Sequence, residues 1–146
     1  MIPFAEEIAY VRDYVSLQKR RFADKFDVTY ELQDEDFALP PLTVQILVEN
    51  SIKHGILVRK QFGTIAVRSY RNGKDHVIVV EDDGVGFDTE ILKDSKRVGL
   101  KAVKNRLEYQ LGATLDVESE PGKGAKITIN IPTLPRVFGK VKGGKR

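Results

Sequence analysis

The sequence predicts an α+β fold: a two-layer α/β sandwich in which helices cover one face of a mixed, mostly antiparallel sheet. Four extended apolar runs come in two pairs, residues 63–70 with 76–80 and residues 114–118 with 125–131. A glycine-containing turn joins the members of each pair, which is typical of antiparallel hairpins. Two segments with helical spacing of apolar residues precede the first pair, and a third separates the two pairs.

The first helix is predicted from apolar residues that recur at helical spacing near the N-terminus. These residues are Ile8, Val11, Val15, Phe22 and Phe26. A short strand at residues 27–32 and an acidic turn should follow. We therefore divide the chain into an N-terminal helix at residues 1–26, a folded domain at 27–132 and a basic tail at 133–146. The helix either packs within the domain or continues into a helix of a longer parent protein.

The second helix should begin at Pro40-Pro41, because proline is tolerated in a first helical turn, and end near Gly55. The dipeptide Asn72-Gly73 predicts the turn of the first hairpin. A charged, glycine-containing loop should occupy residues 82–97, before a third helix at residues 98–111 that ends at Gly112.

Composition excludes several classes of function. The chain has 146 residues, no cysteine and two histidines, so it offers neither a disulfide framework nor the ligand set of a zinc enzyme. No apolar run reaches the roughly 20 residues of a membrane span, and no signal peptide opens the sequence. We therefore expect a soluble, cytoplasmic domain, although the composition is also compatible with a parent protein that spans a membrane.

The net charge of +3 belongs to the C-terminal tail, which contributes five basic residues and no acid. The rest of the chain carries 19 basic and 21 acidic residues and is slightly acidic. The tail is either a frayed terminus or a phosphate-binding arm, and the frayed terminus is the more common case. No nucleic-acid partner is expected, because electrostatic binding needs a clustered basic face on the folded part.

The second helix carries Glu49, Asn50, Lys53 and His54. At 100° per residue, the first three fall within one arc opposite an apolar face formed by Val44, Leu47, Val48 and Ile52. A carboxylate, an amide oxygen and an ammonium group suit a site where Mg²⁺ bridges phosphate oxygens. A solvated helix face with a Glu49–Lys53 pair explains the same pattern, and this explanation is favoured when the helix is considered alone.

Two glycine motifs follow. An apolar strand ends in Asp82-Asp83 and continues as Gly84-Val85-Gly86, where backbone without Cβ atoms can approach a flat ligand and a carboxylate can accept a hydrogen bond from an adenine amine. An ordinary tight turn or a calcium-type acidic loop are the alternatives.

The second motif, Arg97-Val98-Gly99-Leu100, opens the third helix, where exposed N–H groups and the helix dipole favour phosphate. A helix start after a loop is also commonplace. Neither motif matches the P-loop or the dinucleotide-binding pattern.

Together and in this order, the three features resemble the GHKL superfamily of ATP-binding domains, which includes gyrase, the Hsp90 chaperone, histidine kinases and MutL. Residues 40–55 are similar to the N box of the LytS-like sensor histidine kinases, and the segment at 14–22 resembles the one that precedes their ATP-binding domain. The resemblance covers nearly the whole chain up to Pro132. It implies the Bergerat fold, which is the two-layer sandwich predicted above, and the cofactors ATP and Mg²⁺.

By this resemblance the chain is the catalytic domain of a two-component protein-histidine kinase, a transferase. Glu49 would be the catalytic acidic residue, Asn50 the Mg²⁺ ligand, and Asp82 the acceptor of the adenine amine. The other ATP-binding residues implied are Lys53, His54, Gly84, Gly86, Arg97, Gly99 and Leu100. A mobile lid would occupy residues 87–97. Neither His54 nor His76 fits the role of phosphoacceptor, so the implied partners are a histidine in an upstream dimerising region, outside this chain, and a response regulator.

Three departures from the family pattern bear on activity. Arg97 replaces the first glycine of the second glycine box, Asp83 stands where asparagine is common and should add negative charge near the site, and Ala125 replaces a frequent threonine on the adenine side. These departures motivate an alternative to the kinase: a catalytically degenerate module of the same fold that binds nucleotide or acts as a scaffold.

Overall fold

The computed structural model describes residues 1–23, 25–90 and 98–133. A five-stranded sheet has the strand order β2-β4-β5-β7-β6, and a two-residue ladder between β1 and β3 lies apart from it. The strands are β1 (Ile2–Pro3), β2 (Phe26–Leu32), β3 (Ala38–Leu39), β4 (Gly63–Asn72), β5 (Asp75–Asp82), β6 (Thr114–Ser119) and β7 (Ala125–Ile131). The helices are α1 (Phe4–Arg21), α2 (Thr43–Asn50), a π-helical continuation of α2 (Ser51–Ile56), and α3 (Val98–Leu111).

The sheet is mixed in the way the sequence predicts. The strands β4, β5, β7 and β6 pair antiparallel, whereas β2 pairs with β4 in parallel. The β4–β5 hairpin closes at Gly73, which has a φ of 63° that glycine adopts at little cost. The hairpin places its far end, Asp82, next to the start of β7, because Asp82 is the register partner of Ala125. This pairing sets one edge of the candidate site.

The helices pack on one face of the sheet, which confirms the predicted two-layer architecture. The apolar face of α2 that the sequence predicts is fully buried, and α1 and α3 add buried side chains to the same core. Alternate strand residues point into this core, as the period of two of a strand requires. These strand residues include Ile65, Val67, Ile78, Val80, Ile127 and Ile129. Within the described part of the chain, none of the helices combines the length and the apolar character of a membrane span.

The first helix ends earlier in the chain than the spacing of its apolar residues predicts. It ends at Arg21, where the Phe22 N–H still bonds to the Gln18 carbonyl but the Phe22 backbone leaves the helical region with a φ of −134°. Phe26 is not a helical residue: it opens β2, pairs with Gly63 and is fully buried. A spacing of four residues between Phe22 and Phe26 is compatible with a helix, but burial of Phe26 from a strand satisfies the same hydrophobic requirement.

The start of the second helix also differs from the prediction. The helix begins at Thr43 rather than at Pro40, because Leu39 belongs to β3 and the Thr43 hydroxyl donates a hydrogen bond to the Pro40 carbonyl, at 2.6 Å. Its far end continues through Gly55 to Ile56 in π-helical geometry, with the Leu57 N–H bonded to the Ile52 carbonyl, five residues back. Gly55 is therefore not a terminating residue. Single π-helical turns are rare and occur frequently at functional sites.

Candidate functional site

A cleft brings together residues from the predicted N box and from both glycine motifs. It lies where the C-terminal part of the second helix meets the ends of β5 and β7. The lining residues are Asn50, Ser51, His54, Gly55, Asp82, Gly86, Phe87, Leu100, Ala125 and Ile127. Small ligands bind preferentially in such concave sites, where apolar walls carry a few polar groups.

Asp82 is the buried acid of the cleft, with 6% of its surface exposed. One carboxylate oxygen accepts the Gly84 N–H at 2.8 Å, and the Ser51 hydroxyl also donates to this carboxylate. Burial raises the pKa of Asp82 above its ordinary value, because the charged form is desolvated, and these two hydrogen bonds oppose the rise. A buried carboxylate with fixed partners is a well-oriented acceptor for an amine.

Two glycines allow the backbone beside Asp82 to come close to the second helix. A Cβ atom added to Gly84 would lie 2.4 Å from the carbonyl carbon and oxygen of Gly55, and one added to Gly55 would lie 3.0 Å from an oxygen of Asp82. The Val85 N–H donates to the Gly55 carbonyl at 3.0 Å. Gly84 thus supports the cleft from behind and does not line it, whereas Gly55 makes room for the acid.

The turn between β6 and β7 forms a further wall. Gly86 has a φ of 66°, and a Cβ atom there would lie 2.0 Å from the Glu120 carbonyl oxygen. The Ser119 hydroxyl accepts the Phe87 N–H at 2.9 Å and donates to the Gly124 carbonyl at 2.7 Å. These contacts hold the first glycine motif against the hairpin, a role that the sequence did not predict for this turn.

The residues predicted for the phosphate end lie on the second helix and at the start of α3. Asn50 and His54 line the cleft, Glu49 is half-buried beside Asn50, and Lys53 is exposed and outside the lining set. Leu100 lines the cleft from α3. Gly99 faces the second helix, since an added Cβ atom would lie 3.9 Å from the Asn50 amide nitrogen.

Three predictions fall outside what the structure describes, among them the basic tail, of which only Thr133 is described. Arg97 is not among the described residues, and most of the predicted lid, residues 91–97, is also outside them.

The oxygen donors of the cleft suit a Mg²⁺ ion that also binds substrate phosphates. They do not suit a metal ion held by protein side chains alone. Among residues 1–23, 25–90 and 98–133, no three His, Cys, Asp or Glu side chains are grouped as a metal cage. The Asn50 amide on the cleft wall, with Glu49 adjacent, is a sparse oxygen set. Mg²⁺ is commonly held this way in phosphate sites, through one or two protein oxygens together with substrate phosphates and water.

Asp83 adds negative charge near the site, as predicted, because its charge contributes to the raised pKa of Asp82, but Arg59 partly compensates that charge. The Asp83 carboxylate binds the Arg59 guanidinium at 3.0 Å and accepts both the N–H and the hydroxyl of Thr64, at 2.8 and 3.0 Å. Asp83 does not line the cleft. It instead joins the loop after the second helix to the start of β4.

Three lining residues were not predicted as site residues, Ser51, Gly55 and Ile127, and Phe87 was predicted only as the first residue of the lid. Ser51 follows Asn50 within the N box and Phe87 follows the Gly-x-Gly pair, so both were adjacent to signals already recognised. Ile127 was predictable only as an inward-facing strand residue. Ala125, which the resemblance assigned to the adenine side, lines the cleft beside its register partner Asp82.

Comparison with known proteins agrees with this geometry. Residues 40–135 match the family model of histidine kinase-, DNA gyrase B- and HSP90-like ATPases. The chain is 35% identical over 142 residues to the sensor histidine kinase/phosphatase LytS of Staphylococcus aureus, covering 95% of this chain and 21% of LytS. It is 33% identical over 136 residues to protein YwpD of Bacillus subtilis, covering 88% of this chain and 49% of YwpD. The chain thus spans half or less of these relatives.

Solved structures show the same fold. The histidine kinase domain of the blue-light activated kinase EL346 from Erythrobacter litoralis aligns with a TM-score of 0.69 at 24% identity, covering 90% of this chain and 62% of that one. The catalytic domain of histidine kinase ThkA aligns with a TM-score of 0.70 at 20% identity, covering 92% and 96%.

Fold and cleft together define an ATPase domain of the GHKL type. The chain belongs to the family of histidine kinase-, DNA gyrase B- and HSP90-like ATPases, and its similarity to LytS confirms the resemblance to LytS-like sensor histidine kinases. The prediction of an ATP-binding kinase catalytic domain is confirmed at the level of this family. The roles of individual residues and of Mg²⁺ stay predictions.

Proposed function

We propose that this domain binds Mg-ATP in the cleft and donates the γ-phosphoryl group to a histidine outside this chain. The observation that carries the proposal is that Asn50 of the second helix and Asp82 of β5, 32 positions apart in sequence, line one cleft. An amide oxygen and a buried carboxylate in one cleft match the two ends of a purine nucleotide.

In this proposal Asp82 accepts the exocyclic amine of adenine, and Gly86 and Phe87 lie along the base. Asn50 is the magnesium ligand, and Lys53, His54 and the start of α3 at Gly99 and Leu100 face the phosphates. Arg97 adds a positive charge for the phosphates. The bound ion supplies charge neutralisation on the phosphate oxygens, which is the main requirement of phosphoryl transfer.

The chemical step is a displacement at phosphorus. A nitrogen of the acceptor imidazole attacks the γ-phosphorus, a P–N bond forms, and the bond between that phosphorus and the β,γ-bridging oxygen breaks to release ADP. Glu49, beside Asn50, polarises the reacting group or supports the ion. The domain contributes orientation and electrostatic stabilisation.

The environment of His76 supports a phosphoacceptor histidine that lies outside this chain. His76 is buried, its Nδ1 lies 2.6 Å from an Asp34 oxygen, and its ring stacks on Phe37 with 4.7 Å between centroids. Such a side chain is inaccessible to the γ-phosphate of a bound nucleotide. We therefore expect the phosphoacceptor in a dimerising segment of the parent protein, a response regulator as the downstream partner, and a cytoplasmic location for the domain, where ATP is present.

Calorimetric titration with a non-hydrolysable ATP analogue, with and without Mg²⁺, tests binding. Asn50→Ala should abolish the Mg²⁺-dependent part of the affinity, and Asp82→Ala should reduce the preference for ATP over GTP. Exposed residues provide matched controls, Asn105→Ala on α3 and Asp116→Ala on β6. Loss of affinity in the controls equal to that in the site variants would refute the site assignment.

Phosphotransfer is tested in the intact parent protein with labelled ATP. Acid-labile phosphohistidine is expected, and Glu49→Gln should reduce its rate while leaving nucleotide affinity within about twofold. ATP binding without any phosphohistidine would instead favour the nucleotide-binding scaffold, for which Ala125 beside Asp82 is the supporting observation.

A further inference from the structure

The N-terminus of α2 is capped by a carboxylate from α1. Glu7 is fully buried; one of its oxygens accepts the Leu42 N–H at 3.0 Å, and the other accepts the N–H groups of Val44 and Gln45 at 2.9 and 3.1 Å. The first N–H groups of a helix have no partner within the helix and carry the positive end of its dipole. Glu7 therefore satisfies these donors from 35 to 38 positions away in sequence.

The helix α2 has no cap of its own. Its N-cap position is Leu42, an apolar residue with a left-handed φ of 67° and no side-chain capping bond. Side chains of Ser, Thr, Asp or Asn normally fill this role locally. Because the cap comes from another helix, the position of α2 depends on the position of α1.

Burial and charge also relate α1 to this helix. Ile8, Val11 and Val15 are buried in the core that also contains the apolar face of α2. Two turns after Glu7, burial raises the pKa of the Tyr14 phenol, and the nearby negative charge of Glu49 adds to the rise. The two helices thus share a buried core in addition to the cap at the start of α2.

We infer that Glu7 is a positioning residue for the magnesium and phosphate end of the nucleotide site, acting through the helix that it caps. The helix α2 carries Glu49 and Asn50 in its last turn, whereas Asp82 belongs to β5, whose backbone is held by its pairing with β4 and β7. A displacement of α1 should therefore shift Glu49 and Asn50, at the magnesium end of the site, more than Asp82, at the adenine end. This inference rests on the proposed function.

The test compares Glu7→Gln with Glu6→Gln in this chain. Gln keeps the size of Glu but loses the charge and places an amide donor against helix N–H groups. Glu6 is its exposed neighbour and accepts a hydrogen bond from the Tyr10 hydroxyl at 3.1 Å, so Glu6→Gln is the matched control. Affinities for a non-hydrolysable ATP analogue with Mg²⁺ are measured by calorimetry and for adenosine by NMR titration, at a temperature where circular dichroism shows the variants fully folded.

Glu7→Gln should weaken the Mg²⁺-dependent affinity by about tenfold, the effect typical of residues that orient a metal ligand. Adenosine affinity should change less than twofold, and Glu6→Gln should change neither. Faster hydrogen exchange at the Val44 and Gln45 amides would show that the cap has been released. Equal weakening of both ligands, or an effect on thermal stability alone, would show a purely structural cap and overturn the inference.

A second variant covers the case in which Glu7→Gln does not fold. Glu7→Asp keeps the charge and shortens the side chain by one methylene, so α2 must shift to keep its cap, and the same selective loss of Mg²⁺-dependent affinity is expected. No selective loss in Glu7→Asp overturns the inference. If the unsubstituted chain shows no Mg²⁺-dependent binding, the proposed function fails and the inference with it; if binding is Mg²⁺-dependent and both Glu7 variants leave it unchanged, the inference alone fails.

Discussion

Gly84→Ala is the substitution whose effect the structure determines most directly. The added Cβ atom would lie 2.4 Å from the carbonyl carbon and oxygen of Gly55 and 2.7 Å from its Cα. Non-bonded carbon atoms are most stable about 3.5 to 4.0 Å apart, so the two backbone segments must separate by about 1 Å. The Val85–Gly55 hydrogen bond and the contact between Asp82 and Gly84 lie within the strained region.

The magnitude follows from two opposing effects, one on the unfolded chain and one on packing in the folded state. Gly84 is not among the residues with a positive φ, so alanine is compatible with its backbone and would by itself stabilise the protein by about 0.4–1 kcal/mol through the unfolded chain. Overpacking against backbone, which cannot change rotamer, costs about 3 kcal/mol, near the upper end of the usual range. The net destabilisation should be about 2 kcal/mol or more.

Urea denaturation followed by circular dichroism measures this change, and Gly73→Ala is the matched control. Gly73 has a φ of 63° but no heavy atom within 4 Å of an added Cβ. Gly73→Ala should therefore be destabilised only by the cost of placing alanine in the left-handed region, about 1–2 kcal/mol. Nucleotide affinity should fall in Gly84→Ala and not in Gly73→Ala. A Gly84→Ala protein as stable as the wild type would refute the close approach of the two segments.

Three other predictions concern stability near the site. Asp83→Ala should destabilise the domain by about 1–2 kcal/mol in urea denaturation, because Arg59 and Thr64 lose their acceptor, with nucleotide affinity unchanged within about twofold. Ser119→Ala should cost about 1 kcal/mol in the same assay, since its hydroxyl joins two backbone groups of the glycine motifs. A pH titration of the nucleotide-free protein tests Asp82, whose folded-state pKa is raised above 3.8. The folded state then binds more protons, so this carboxyl's contribution to stability is present below pH 3.8 and is lost as the pH rises through the folded pKa. The free energy of unfolding of Asp82→Asn minus that of the wild type should therefore increase as the pH rises from 3.8 through the folded-state pKa of Asp82. A difference that stays constant or decreases would contradict the raised pKa.

Local patterns determined most of the secondary structure. The Asn72-Gly73 turn, the alternation in β4, β5 and β7, and the range of α3 required no information beyond neighbouring residues, because turn chemistry and amphipathic periodicity are local properties. The apolar face of the second helix was predictable for the same reason. The prediction was wrong at Phe26, which pairs with Gly63 in a strand, and at Pro40, because the second helix begins only at Thr43.

The site was predictable as a set of residues but not as a geometry. Asn50, His54, Asp82, Gly86 and Leu100 were named from motifs, and the structure places all five on one cleft. Spacing along one helix could not show which partner compensates each charge. The pairing of Asp83 with Arg59, for example, depends on a loop 24 positions earlier in the chain.

The sequence by itself determined the fold class, the family and the residue types of the cleft, because each is recorded in short motifs and in the periodicity of apolar residues. Only the tertiary structure decided that Glu7 caps α2, that Gly84 rests on Gly55 and that the β6–β7 turn supports the first glycine motif. The physical reason is that periodicity shows which face of an element is buried, whereas a buried carboxylate or a backbone contact is stable only with a specific partner, and that partner is chosen by packing in three dimensions.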